Sequence, residues 1–433
     1  MTLRIKRIIP IVGIVLFMSP QAWAELTPKS HISVAGIDVQ STLGLDYGHD
    51  SNVTYQTQSS DEVNSSYLAL TPRILALGER GEDKYMLMYS GDLTSYRQSG
   101  QDSFNDHSVL FQSSWRFGLK HGLTWSAQQD WGHEARGTGI TEGFTSQQLR
   151  DFGVTSPLEN TFLDSELRYS YGAKEGRGKL EFAWQIKDLE FVDLDEVEKA
   201  DSDFYQYVQE QQWKENLITA DLFDQYSTRT RFRYSLISNL RQYGANSAKN
   251  TTENFALFGV NSQRTDKTRI EAEVAWLYKT FPNNDVAQNF SGLNWDVKLQ
   301  WKPVKHAQIE LYGWRKVKDP TEQGGYILNT KLGVSWRHHW WVDRVQTILD
   351  IGREADDYQV EQSDRNDQLD VAILTLGYDF RPSVRLELNY RYAVKRSNVD
   401  TTSFFIGGSS PREVIRTLGY DKNVIGLMIK VQI

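Results

Sequence analysis

The chain of 433 residues carries 48 Lys and Arg against 56 Asp and Glu, a formal charge of −8, and no cysteine. That balance excludes a nucleic-acid-binding surface, which is basic and clustered. Without cysteine there is no disulfide scaffold, thiolate metal centre or cysteine nucleophile.

Residues 1–24 read as a secretory leader. Arg4, Lys6 and Arg7 form a basic start, Ile8 to Met18 an apolar run too short to cross a bilayer, and Ala22-Trp23-Ala24 a small-x-small cleavage site. The mature chain then begins at Glu25, and loss of those three basic residues takes the charge to −11. Residues 25–36 read as a short periplasmic tail.

From residue 37 onward one pattern repeats. Ser41, Leu43, Leu45 and Tyr47 alternate with Gln40, Thr42, Gly44 and Asp46. Tyr85, Leu87, Tyr89 and Leu93 alternate with Met86, Met88, Ser90 and Asp92. The pattern recurs at Trp295, Val297, Leu299 and Trp301, and again at Ile425, Leu427, Ile429, Val431 and Ile433. Apolar residues at every second position mark β-strands; a helix would space them by three and four. The expected strands are 37–48, 65–79, 82–96, 105–117, 121–132, 160–172, 178–192, 209–224, 229–243, 252–263, 268–281, 292–302, 307–318, 326–338, 341–353, 368–380, 383–395 and 419–433. Strand 209–224 has the most ragged alternation, and the long segment 132–160 leaves room for a further hairpin.

The connections alternate too. Gly118 to Gly122, Tyr226 to Thr230 and Arg381 to Ser383 are short, whereas 49–64, 132–160, 193–206, 354–367 and 396–418 are long and polar. Mean hydropathy is −0.53, yet the chain has 13 Trp, 21 Tyr and 19 Phe. A barrel reconciles these values, because alternate residues face lipid and water while aromatics gather at the two interfaces. No run approaches the ~18 apolar residues of a membrane helix. The expected fold is all-β: a transmembrane, antiparallel, up-and-down β-barrel spanning 37–433, with about eighteen strands and a range of 16–20. Short turns would be periplasmic and long loops extracellular. A soluble solenoid or sandwich fits less well, since typical soluble strands run only about 5–6 residues.

Several fragments carry a family likeness: Gly44-Leu45-Asp46-Tyr47 followed by Asp50-Ser51-Asn52-Val53; Tyr171-Gly172-Ala173 with Gly176-Arg177-Gly178; and Tyr390-Arg391-Tyr392, Arg396-Ser397-Asn398 and Tyr420-Asp421-Lys422-Asn423-Val424 near the end. In these the chain resembles the β-barrel porin family encoded in exopolysaccharide and capsule gene clusters of Gram-negative bacteria. The resemblance implies an outer-membrane channel that lets a secreted, biofilm-matrix polysaccharide leave the cell.

If the apolar face meets lipid, the other face lines a lumen. The side chains expected there are Arg231, Arg233, Arg241, Arg269, Lys298, Arg337, Arg344, Arg385 and Arg391, with Asp92, Glu166, Asp296 and Glu387 of opposite sign. A charge on the lipid face would cost roughly 2–4 kcal/mol at the midplane for Arg or Lys, which assigns these residues inward. Two roles fit them: guiding an acidic or polyhydroxylated chain, or bracing the wall through ion pairs. Tyr312, Trp314 and Tyr96 share that register, either as flat faces for sugar rings or as packing. The loop 132–160, with Gly137, Gly139 and Gly143, either folds inward or stays on the surface. Asp193-Leu194-Asp195-Glu196 and Asp356-Asp357 sit in expected extracellular loops, as solvated acid or as cation contacts among lipopolysaccharide headgroups.

No GxSxG, HExxH or phosphate-cradling glycine loop is present, and adjacent His338 and His339 would face opposite sides of a strand. The expectation is therefore a non-enzymatic channel without cofactor or metal, placed in the outer membrane of a Gram-negative bacterium. Its partners would be outer-membrane lipid and lipopolysaccharide, the secreted polysaccharide, and periplasmic polysaccharide-export proteins. An uptake porin and a plugged structural or adhesive barrel are the alternatives.

Overall fold

The computed structural model describes residues 32–34, 36–173, 176–321, 325–341, 343–360, 364–408 and 410–433. The expected leader lies outside them, as does most of the tail. Within the tail, Ile32–Val34 turns at Gly36 (φ 82°) and pairs back on Ile37–Val39.

Eighteen antiparallel strands form the wall, each pairing with its sequence neighbours, and the last closes on the first. The shortest is Ala307–Lys318 with 12 residues and several reach 16, such as Gly325–Trp340. Closure is what a bilayer demands, since an open sheet edge would leave backbone N–H and C=O groups without partners in hydrocarbon.

Alternation sets the two faces. On the last strand, Tyr420–Gln432, Ile425, Leu427 and Ile429 are 47, 56 and 41% exposed, while Met428 and Lys430 are 4 and 9% exposed. The apolar set points outward to lipid and the alternate set inward. Exposed Phe117, Tyr226, Trp301, Trp340 and Phe380 stand beside the short turns, and Tyr47, Trp276 and Tyr278 towards the other end. These are the aromatic belts of a membrane barrel.

The closing seam has a specific lock. Nine residue pairs join Ile37–Asp50 to the last strand, from Thr42↔Gln432 to Asp50↔Val424. Tyr67, on the neighbouring strand Ser65–Arg80, lies across this seam. A Cβ placed on Gly48 would come within 2.4 Å of Tyr67 Cζ, and one on Gly426 within 2.6 Å of Tyr67 Oη. The hydroxyl donates to Asp46 Oδ2 at 3.2 Å. Glycine is required at both positions because the ring occupies the space of their side chains.

Four expectations are corrected. Strand 209–224 begins only at Trp213, because residues 202–209 form a helix, Ser202–Gln209, capped by the Asp201 carboxylate. Its buried Phe204, Tyr207 and Val208 follow helical spacing, and Glu210 to Gln212 lie between the helix and the strand. Segment 132–160 holds no hairpin but the helix Ser146–Asp151, with Thr145 and Gln148 as its capping box. The expected strand 341–353 starts at Val345, because Trp341 and Asp343 take positive φ (49° and 67°) and make the turn. The same strand continues to Val360, so Asp356 and Asp357 belong to the wall and not to a loop. Asp356 accepts from Lys318 Nζ at 3.2 Å. In addition, the last long loop contains a hairpin, Thr401–Ile406 with Arg412–Thr417.

Two substitutions test this architecture. Leu427→Arg places a charge on the lipid face and should lower barrel stability by about 2–4 kcal/mol, read as the urea midpoint in liposomes. Gly48→Val meets Ile425 O at 2.3 Å as well as the Tyr67 ring, and should cost about 1–3 kcal/mol. Midpoints equal to the wild type would refute the face assignment and the seam lock respectively.

Candidate functional site: the lumen and its mouth

Arg231, Arg233, Arg241, Arg269, Lys298, Arg337, Arg385, Arg391, Asp92, Glu166, Asp296, Glu387, Tyr312 and Trp314 all stand on positions that alternate with the lipid-facing ones. Arg344 does not. It sits exposed in the 341–344 turn, because that turn begins two residues later than alternation suggested.

Most inward cations are tied to carboxylates. Arg168 bonds Glu166 at 2.8 Å and both Glu181 and Asp221 at 3.0 Å. Arg233 spans Asp221 (3.0 Å) and Glu273 (3.2 Å). Arg269 meets Glu271 at 2.6 Å, Lys298 meets Glu310 at 3.2 Å, and Lys316 meets Asp296 at 3.2 Å. Near the short-turn end, Glu387 is shared by Arg385 and Lys430, both at 2.8 Å. Arg231 lies over the Phe223 ring at 4.7 Å. The bore therefore presents alternating donors and acceptors, and its basic groups do not form a bare cationic ring.

The first strands differ. Asp92 accepts from Thr94 Oγ1 (2.8 Å), Asp130 from Gln128 Nε2 (2.9 Å) and Asp164 from Gln185 Nε2 (2.6 Å). Asp92 stands directly opposite Asp106. No ion pair joins Asp92, Asp130 or Asp164 among the described residues. Facing Asp92 and Asp106 make their stretch of the wall acidic, while Asp164 stands opposite Lys187.

The long-loop end is covered. Phe144, Leu149, Phe204, Val208, Phe404 and Val414, from three different loops, share one buried apolar cluster. Polar ties cross between loops: Thr417 N donates to Gly143 O at 2.8 Å, Gln56 Nε2 to Phe144 O at 3.1 Å, and Arg416 to Ile140 O at 3.3 Å and Tyr207 Oη at 3.0 Å. Glu142 pairs with Lys395, which lies on the penultimate wall strand, far round the barrel from Glu142's own loop. Arg365 joins them, 3.6 Å from Glu142 and bonded to Asp367.

The wall splits at one place. The strands Phe290–Val304 and Ala307–Lys318 pair only from Trp295↔Arg315 downward, so Phe290–Asn294 lack partners on that side. Above this fork Val317, Tyr326 and Leu328, whose register faces outward, pack against Leu277 and Phe290, whose register faces inward. Phe290 and Tyr326 rings are 5.0 Å apart. The two faces of a closed wall touch only if part of it folds over, so the upper ends of Ala307–Lys318 and Gly325–Trp340, still paired to Val345–Val360, curl into the bore. Asp319 at the tip bonds Lys279 and Arg241, reaching past the intervening strands. Arg241 and Lys279 are also held by Glu215 (2.6 Å) and Glu253 (2.8 Å). Asn294, at the fork, keeps both amide atoms buried and unpartnered among the described residues, a sign of local strain.

Sequence reasoning missed Asp319, Glu142, Lys279, Lys395 and Arg365. Lys279 follows inward Ala275 and Leu277, an apolar pair that hid its register. Glu142 and Asp319 lie in loops, where no periodicity marks a partner.

Burial alone would raise the Asp319 and Glu142 carboxyls. Lys279 and Arg241 outweigh it at Asp319, Lys395 and Arg365 at Glu142, and both are held below the ordinary carboxylate value. Depressed carboxyls stabilise the folded mouth above their ordinary values, and that contribution is lost as pH falls through the lowered ones. Conductance in planar bilayers should rise as pH falls below about 4. A rise centred near neutrality would exclude these carboxyls as its cause. Asp319→Asn removes one partner of a buried pair, a change of about 3–5 kcal/mol. It should raise the open fraction at neutral pH, and traces identical to the wild type would show that the Asp319 ion pairs do not hold the mouth shut.

No curated protein matches the chain. Among solved structures, OpdQ of Pseudomonas aeruginosa is 8% identical, covering 92% of this chain and 97% of its own, with a TM-score of 0.48. OccAB3 of Acinetobacter baumannii is 8% identical over 92% and 99%, at 0.45. The FrpB iron transporter of Neisseria meningitidis is 11% identical over 92% and 83%, at 0.43. At these scores none carries an argument about cargo. The family described as "Putative beta-barrel porin 2" matches residues 38–405, nearly the whole wall, and the chain belongs to that family.

Proposed function

We propose that this barrel is an outer-membrane conduit through which a polysaccharide leaves a Gram-negative cell. The observation that carries the reading is the inner face. Its carboxylates, amides, hydroxyls and paired cations supply closely spaced donors and acceptors, the complement of a polyhydroxylated chain. Eighteen strands enclose a bore wide enough to hold water as well as side chains. The covered mouth fits a port that opens for outgoing polymer better than a standing diffusion pore. The sequence likeness to barrels of exopolysaccharide and capsule gene clusters points the same way.

In this reading the chain performs no chemistry and needs no cofactor. Polymer synthesis or periplasmic export partners drive the movement. The leader directs the chain out of the cytoplasm, and lipopolysaccharide surrounds the outer half of the wall.

Deleting the gene should trap polymer in the periplasm and strip it from the surface. Normal surface polymer with impaired sugar uptake would overturn the reading in favour of an uptake porin. Normal polymer with normal uptake would favour a plugged structural barrel.

A further inference from the structure

We infer that Tyr312 and Trp314 form a shelf inside the bore on which the pyranose rings of the cargo stack. This rests on the conduit reading for the identity of the cargo, and on separate geometry for the site.

Both residues stand on inward positions of Ala307–Lys318, below the fork, where the strand is still part of the wall. Tyr312 lies down across the two following strands. A Cβ on Gly333 would come within 2.3 Å of its Cζ, and one on Gly352 within 3.2 Å of its Oη. Two strands thus give up side chains at this height, and the ring rests flat where they would have been. Its hydroxyl donates to Asp350 Oδ1 at 2.8 Å, which fixes the far end.

Trp314 continues the surface. Its ring centroid is 6.3 Å from that of Tyr312, with planes only 26° apart. Its Nε1 donates to Asn329 Oδ1 at 2.9 Å, so it too is pinned by its polar tip. Tyr312, flat over Gly333, turns its other face to the bore, and Trp314 stands next to it at a small angle. Lys316 and Lys331 hold their ammonium groups over the Trp314 ring, 4.8 and 5.1 Å from its centroid, so a sugar ring stacking there takes their place. Their carboxylate partners, Asp296 and Glu354, lie at 3.2 and 3.4 Å.

The chemistry matches one ligand class. A pyranose with equatorial hydroxyls has faces made of C–H groups, slightly positive, which complement the negative face of an aromatic ring. Its hydroxyls project from the rim, where ammonium and carboxylate groups here supply donors and acceptors. A bare polyelectrolyte would need no flat apolar floor. The shelf therefore selects pyranose rings with equatorial hydroxyls over flexible polyols.

The test is binding of cellohexaose to the purified full-length barrel by calorimetry, with polyethylene glycol as a polyol control. Wild type should bind cellohexaose and not the polyol. Trp314→Ala and Tyr312→Ala together should weaken binding about tenfold or more. Trp276→Ala, on the lipid face, should leave it unchanged, and heat-modifiable gel mobility checks that each variant is a folded barrel. Equal affinity in the wild type and a folded double variant overturns the shelf, as does failure of the wild type to bind. Either result leaves the conduit standing on its own genetic test. A deletion strain that still displays its polymer overturns the conduit and leaves a shelf that binds cellohexaose intact.

Discussion

Every feature of this molecule depends on one constraint: within a bilayer, backbone hydrogen-bonding groups must find partners in the protein itself. That requirement forces Ile37–Asp50 and Tyr420–Gln432, far apart in the sequence, to become neighbours. It also fixes the meaning of each side chain. Once the sheet is closed, odd and even positions belong to different solvents, and a one-residue slip would exchange lipid for water along a whole strand. The seam is where that register is set, and Tyr67, seated over Gly48 and Gly426, spans it.

Pairing of charges follows from the same closure. Arg168, Arg233, Arg385 and Lys430 cannot face hydrocarbon, so they crowd an interior with limited water, where each finds a carboxylate. Asp92 and Asp130 accept from the neutral side chains of Thr94 and Gln128, whereas Asp164 stands opposite Lys187. The lumen is thus electrically uneven around its circumference, a property that no count of Arg and Lys on single strands reveals.

How much of this the sequence displays varies with the physical signal. The wall was legible because period-two alternation is imposed by two immiscible surroundings, and all eighteen strands were expected close to where they lie. The inward register of Arg233, Glu387 or Tyr312 follows from the same arithmetic. The mouth was not legible. Phe204, Tyr207 and Val208 obey helical spacing over a stretch too short to stand out, and Asp319 meets Lys279 and Arg241 only through a hairpin that folds over. Arg344 failed for a local reason, a turn built from non-glycine residues in the left-handed region. Contacts between distant loops leave no periodic trace in the chain.

The folded-over hairpin has a collective consequence. Two unit charges 4 Å apart attract by about 4 kcal/mol at an effective dielectric near 20, and by only about 1 kcal/mol in bulk water. The bonds of Asp319, and those of Glu142 with Lys395, are therefore strong only while the cluster around them keeps water out. Breaking any one admits water to the rest and weakens them in turn. The mouth should behave as a single cooperative unit, either sealed or wet, with half-open states scarcely populated.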